Sequence, residues 1–92
     1  MSPEEQELFD LAILRVLDAN RTRYGLGSAA IGHLLTQYGF GAAGGDELLD
    51  RIAVLERKGL VEEVAKLIGA ANRAWRISDK GIGAVDDRNL NG

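Results

Sequence analysis

The residue that most limits what this chain can become is Gly59, which ends a helical pattern on one side and precedes two β-prone runs on the other. In Glu47-Leu-Leu-Asp-Arg-Ile-Ala-Val-Leu-Glu-Arg-Lys-Gly59, the apolar residues Leu48, Ile52 and Leu55 recur at spacings of four and three, which places them on one helical face. A glycine just past the last apolar position takes the left-handed conformation without a Cβ penalty. Arg57 and Lys58 put positive charge where the helix dipole is negative. Beyond the stop, Leu60 to Ala65 and Arg73 to Ile77 read as strands joined by a turn-rich segment containing Gly69 and Asn72. Period-two geometry sends Trp75 and Ile77 to one side of the second strand and Ala74, Arg76 and Ser78 to the other, so Trp75 is expected in the core.

A chain of 92 residues has room for one compact domain, and a hydrophobic content of 46% supplies one modest core. The expected division is a single domain over 1–85 and a flexible polar tail over 86–92. With no cysteine and one histidine, the chain offers no thiolate nucleophile, no disulfide framework and no cysteine or histidine cluster for a metal. Neither a metal nor another cofactor is expected. His33 has no companion at catalytic spacing, and Ser28 and Ser78 read as helix caps, so an enzyme is not expected. No apolar run approaches the roughly 20 residues of a membrane span, and the acidic N-terminus is unlike a signal peptide. A cytoplasmic protein without membrane contact is the expectation.

The net charge of −3 argues against a global basic field, but its distribution is uneven. Glu4, Glu5, Glu7, Asp10 and Asp18 against Arg15 alone make residues 1–20 acidic, whereas 21–45 carry Arg21 and Arg23 and no acid. The acid is concentrated on the first helix, leaving local basic spots elsewhere.

That first helix is announced by Ser2-Pro3-Glu4-Glu5, with serine as N-cap, proline at N1 and glutamate closing a capping box. It is expected to run to about Asn20. Phe9, Ile13, Val16 and Leu17 share its inward stripe, and Leu8, Leu11, Ala12 and Leu14 widen the apolar surface. The added width suits either contact with both later helices or a homodimer seam. Tyr24 to Leu26 suggests a very short strand. Ser28 is placed to cap a second helix over Ala29 to Tyr38, with Ile31, Leu34 and Leu35 facing inward. Asp46 is placed to cap the third helix, and Ile82 to Val85 is expected to form one or two helical turns because of its glycines.

Gly39-Phe-Gly-Ala-Ala-Gly-Gly45 spells G-x-G-x-x-G immediately before a helix, with Glu62 or Glu63 about 20 positions on. Nucleotide binding at the 39–44 glycine loop is therefore a remote alternative. The preceding Ile31 to Tyr38 segment lacks the β-branched run of a buried parallel strand, and Asp46 and Glu47 would repel a phosphate. The competing reading is a turn between helices with Phe40 pinned into the core.

The order helix, short strand, helix, helix, hairpin, final turn resembles a winged helix-turn-helix domain, an α+β, mainly α fold of three helices, a β-hairpin wing and a short C-terminal helical turn. Leu55-Glu-Arg-Lys-Gly-Leu-Val-Glu62 resembles the recognition-helix exit of MarR and PadR transcription regulators, and Arg76-Ile-Ser-Asp-Lys-Gly81 their second wing strand and its turn. The resemblance implies a duplex-DNA partner, a third helix in the major groove, a wing on the backbone, and a homodimer through the first helix. Carried over by position, Asp46, Glu47, Asp50, Arg51 and Val54 would face the groove, with Arg51 the good guanine reader among them. Lys66, Asn72 and Arg73 would lie on the wing, and Arg21, Arg23, Arg57 and Lys58 would meet phosphates. A winged helix also serves as a protein-binding module, for which Asp46, Glu47, Asp50, Leu67 and Ile68 are the candidate contacts.

Overall fold

The computed structural model describes residues 2–21, 24–41, 45–64 and 73–91. The Ser2 hydroxyl accepts from the Glu5 backbone N–H at 3.2 Å and Pro3 follows it, so helix α1 (Pro3–Ala19) begins as its sequence dictates. It ends at Asn20, whose side-chain Nδ2 donates to the Val16 carbonyl at 2.8 Å. Phe9, Ala12, Ile13, Leu14, Val16 and Leu17 are buried, whereas Leu8 stays 58% exposed. The wide apolar surface of α1 therefore divides into a core face and a protruding leucine.

Strand β1 (Leu26–Gly27) runs straight into helix α2 (Ser28–Leu35). Ser28 does not cap this helix. Gly27, in extended conformation, is the N-cap and makes no side-chain bond there. The helix is also shorter than its apolar pattern predicts: a 3₁₀ turn, Thr36–Tyr38, replaces its last residues. The Thr36 hydroxyl donates to the His33 carbonyl at 2.6 Å, a local bond that competes with the helical ladder. Gly39, at φ +87°, then closes the turn: its N–H reaches the Thr36 carbonyl at 3.2 Å and the Phe40 N–H the Leu35 carbonyl at 3.2 Å. Those two bonds form a Schellman motif, and the residue after its glycine is directed back to the core. Phe40 accordingly stacks on Phe9 with ring centroids 5.1 Å apart.

Helix α3 (Gly45–Arg57) buries Leu48, Ile52 and Leu55, the stripe that their spacing predicts. Asp46 lies inside its first turn rather than at the cap, where its charge still complements the dipole. The helix ends in a second Schellman motif. Gly59 has φ +77°, its N–H donates to the Glu56 carbonyl at 2.9 Å, and the Leu60 N–H donates to the Leu55 carbonyl at 2.9 Å.

Strand β2 (Val61–Glu63), within the longer run predicted from residue 60 to 65, pairs antiparallel with β3 (Ala74–Ile77). In that register Val61 faces Ile77 and Glu63 faces Trp75, and the Val64 N–H extends the ladder to the Ala74 carbonyl at 2.8 Å. On its other edge β3 pairs with β1, Leu26 opposite Trp75, giving the order β1-β3-β2. Trp75 and Ile77 are both buried, as the alternation requires, and Trp75 is only 2% exposed.

Helix α4 (Asp79–Asn91) has 13 residues where one or two turns were expected, and it extends through the stretch expected to be a tail. Gly81 serves packing rather than ending the helix. A Cβ on Gly81 would lie 2.1 Å from the Leu60 carbonyl oxygen and 2.7 Å from Ile77 Cγ1, so this residue admits a backbone contact that any side chain would block. Ser78, as expected, caps the helix: its Oγ accepts from the Gly81 N–H at 3.0 Å and donates to the Gly59 carbonyl at 2.6 Å.

Two glycines of one helix should therefore respond oppositely to alanine. Gly81→Ala is expected to destabilise the domain by about 3 kcal/mol through overpacking. Gly83→Ala meets nothing within 4 Å and should stabilise it by roughly 0.5–1 kcal/mol. Urea unfolding followed by Trp75 fluorescence measures both.

Candidate nucleic-acid interface

Because Leu48, Ile52 and Leu55 turn inward, helical geometry turns Asp46, Asp50, Ala53 and Arg57 outward, and all four are exposed. Glu47 is exposed beside them. The N-terminal half of the outward face is thus acidic and its C-terminal end basic. Lys58 follows, exposed, and Arg57 and Lys58 have no ion-pair partner among the described residues.

Arg51, the expected guanine reader, sits on the flank of α3 that faces α1. Its Nε donates to Asp10 Oδ1 at 2.9 Å and its Nη2 to Asp10 Oδ2 at 2.6 Å. The two side chains are 19% and 14% exposed, so both atoms of the fork are committed in a mostly dry setting. The hydrogen bonds it donates to Asp10 hold the guanidinium above its ordinary pKa, with desolvation opposing them and the carboxylate charge adding to them. The local sequence contains no sign of this pair, because Asp10 lies 41 residues away.

Arg73, Arg76 and Arg21 are also paired, but at the surface. Arg73, at the start of β3, makes two bonds to Glu63, at 2.8 and 3.0 Å, and its guanidinium lies 5.0 Å from the Trp75 ring centroid. The hydrogen bonds to Glu63, then its charge, raise the Arg73 pKa. Arg76 pairs with Glu62 at 3.1 Å across the sheet, and Arg21 with Asp18 one turn back. Exposed pairs of this kind hold their partners weakly and can exchange them. Arg23, Lys66, Leu67, Ile68 and Asn72 lie outside the described residues.

His33 is exposed on α2, and the described residues contain no group of three or more potential metal ligands. Among them, no helix is long and apolar enough to cross a membrane. Residues 31–38, which a dinucleotide fold would need as a parallel strand, are helix and 3₁₀ turn, and the described strands all pair antiparallel. Two shallow hollows adjoin Leu11 on α1. One, about 210 Å³, is lined by Leu14, Leu55, Leu60 and Ala84 with Glu7, Asp10 and Lys58 at its rim, and the other, about 170 Å³, by Leu8, Ala12, Tyr38 and Phe40 with Arg15.

Helix, short strand, two helices, two paired strands and a terminal helix, joined by a three-stranded antiparallel sheet, decide the architecture. The chain is a winged helix. Its structure is similar to that of hsRosR-S4, solved as a complex, with a TM-score of 0.74 and 24% sequence identity over 89% of the chain. The winged helix spans 66% of the length of that neighbour's chain. No family model matches the sequence, and no curated protein does. In this architecture β2 and β3 form the wing beside α3, and Arg51 points from α3 toward the scaffold.

Arg51→Ala leaves the Asp10 carboxylate half-desolvated and unpaired, and is expected to cost about 1.5–3 kcal/mol, the range for hydrogen bonds to charged groups. Arg57→Ala, on the outward face, should change stability by less than about 0.5 kcal/mol. Thermal unfolding of the two variants side by side distinguishes the scaffold arginine from the surface one.

Proposed function

We propose that this winged helix is a transcription regulator that binds duplex DNA as a homodimer, with α3 and the wing toward the DNA. The observation that supports the reading is the fold itself, with α3 beside an antiparallel wing, together with its similarity to the structure of hsRosR-S4. Arg57 and Lys58 at the exit of α3 supply phosphate contacts, Arg73 and Arg76 do so from the wing, and Arg21 from the turn after α1. Arg23, Lys66 and Asn72 are the further candidates by position in the chain. The arginines and lysines among these act through charge and need no base-specific geometry, and Asn72 would donate an uncharged hydrogen bond to the backbone. Arg51 is left out of the DNA contacts, since Asp10 holds it.

The dimer reading is supported by Leu8, which is exposed on α1 at the edge of the smaller, mainly apolar hollow. A protruding leucine beside a hollow suits an isologous contact, in which each copy fills the other. Pairing two copies doubles the phosphate contacts available, which a chain of net charge −3 requires for useful affinity.

A second reading is favoured by one specific observation, the carboxylates of Asp46, Glu47 and Asp50 on the half of α3 that would otherwise meet base edges. On that reading the same face docks a basic protein surface, with Leu67 and Ile68 as candidate apolar contacts. Acceptor-rich base edges and phosphates disfavour three acids, whereas a lysine- or arginine-rich partner pairs with them.

Fluorescence anisotropy with a labelled random duplex tests the DNA reading. Binding is expected at about 50 mM salt, with a linear fall of log K against log salt, and Arg57→Ala with Lys58→Ala should reduce that slope by roughly two. Leu8→Glu should dissociate the dimer in sedimentation and weaken binding. Asp46→Asn, Glu47→Gln and Asp50→Asn together should tighten the complex by removing repulsion. Absence of binding at low salt removes the DNA reading. Loss of a captured basic partner on the same triple substitution would then establish the protein-binding one.

A further inference from the structure

We infer that the Asp10–Arg51 pair is a clamp that sets the roll and angle at which α3 is presented, making Asp10 and Arg51 positioning residues of the interface. The inference rests on the reading of α3 as the presented helix.

The argument begins with what packing alone provides. The contact of α3 with the core is a single ridge, Leu48, Ile52 and Leu55. Burial of a ridge is non-directional: it holds a helix down but resists rotation about its own axis only through side-chain shape. The three residues are all aliphatic.

Arg51 lies one residue before Ile52, off the ridge, and its fork meets both carboxylate oxygens of Asp10. Two parallel bonds to one planar group fix orientation as well as distance. On α1, Asp10 is flanked by buried Phe9 and stands one turn before buried Ile13, so the carboxylate itself is mounted on the rigid part of the scaffold. The hydrogen bonds that fix the C-terminal end of α3 to Ser78 and Lys80 leave its N-terminal half to the ridge, and the pair is a directional attachment there, at the second turn. Partly buried ion pairs contribute little net stability compared with apolar replacements, and their best-attested use is to select one arrangement among several.

The absence of cysteine makes a direct test clean. Spin labels carried by Ala19→Cys on α1 and Ala53→Cys on the outward face of α3, diluted with unlabelled chain, report the distance between the two helices. Both positions are exposed. The parent should give one narrow distance distribution. Asp10→Asn and Arg51→Met should each broaden or shift it, the double variant no more than either single one, and the exchange Asp10→Arg with Arg51→Asp should restore it. Duplex affinity should fall about tenfold in each single variant, within the range of coupling between contacting residues, and recover in the exchange. An unchanged distribution in every variant overturns the clamp, whatever happens to DNA. Tighter binding in Asp10→Asn with weaker binding in Arg51→Met also overturns it, by making Arg51 a DNA contact that Asp10 restrains. Distances that respond as expected in a parent that binds no duplex support the clamp and reject the proposed function instead.

Discussion

Three successive carbonyls at the end of α3 are all satisfied by the residues that begin α4, and the rest of the structure depends on that joint. The Lys58 carbonyl accepts from Lys80 Nζ at 2.9 Å, the Gly59 carbonyl from Ser78 Oγ at 2.6 Å, and the Leu60 carbonyl from the Ser78 N–H at 3.0 Å. Helix ends leave carbonyls without intrahelical partners, and a buried one left unmet is costly. Here those groups tie the third helix, the wing and the last helix into one unit. Gly81 completes the joint by letting the first turn of α4 lie directly on Leu60. The direction in which the wing leaves the scaffold follows from it.

The electrostatics of the presented face come from the same economy of charged residues. Of the arginines that might reach a partner, one is turned to α1 and three are paired across surface turns and strands. The outward cations without a partner among the described residues are those at the exit of α3, directly before the joint. Recognition on this scaffold would therefore be strongest where α3 ends and the wing begins, with the acidic opening turn of α3 acting against polyanions. A face charged this way would discriminate between partners through repulsion as much as through attraction.

What the sequence made legible was whatever local rules decide. Ser2 and Pro3 start a helix, Gly59 stops one, and alternation buries Trp75 and Ile77, each through contacts within a few residues. The features that were not legible depend on partners distant in the chain. Glycine at 81 looked like a reason for α4 to be short, because helix propensity counts the backbone entropy and not the carbonyl of Leu60 twenty-one residues earlier. The same blindness hid Asp10 behind Arg51. The turn at Gly39 is the instructive middle case, since Tyr38-Gly39-Phe40 and Lys58-Gly59-Leu60 form the same motif. Only the second was read as a helix stop, because further glycines after Phe40 imitated a phosphate loop. For the candidate site, the chain revealed which cations exist, but which of them remain outward was decided by pairing.

The sheet has one further consequence. Among the described residues, β1 and β2 each bond to β3 and not to one another. A nascent chain that has emerged only as far as residue 73 can form α1, α2 and α3, but it has no strand on which to assemble a sheet. The interior also lacks its tryptophan until then. During synthesis the sheet therefore cannot assemble before β3 has emerged, and both of its neighbours then pair with that one strand.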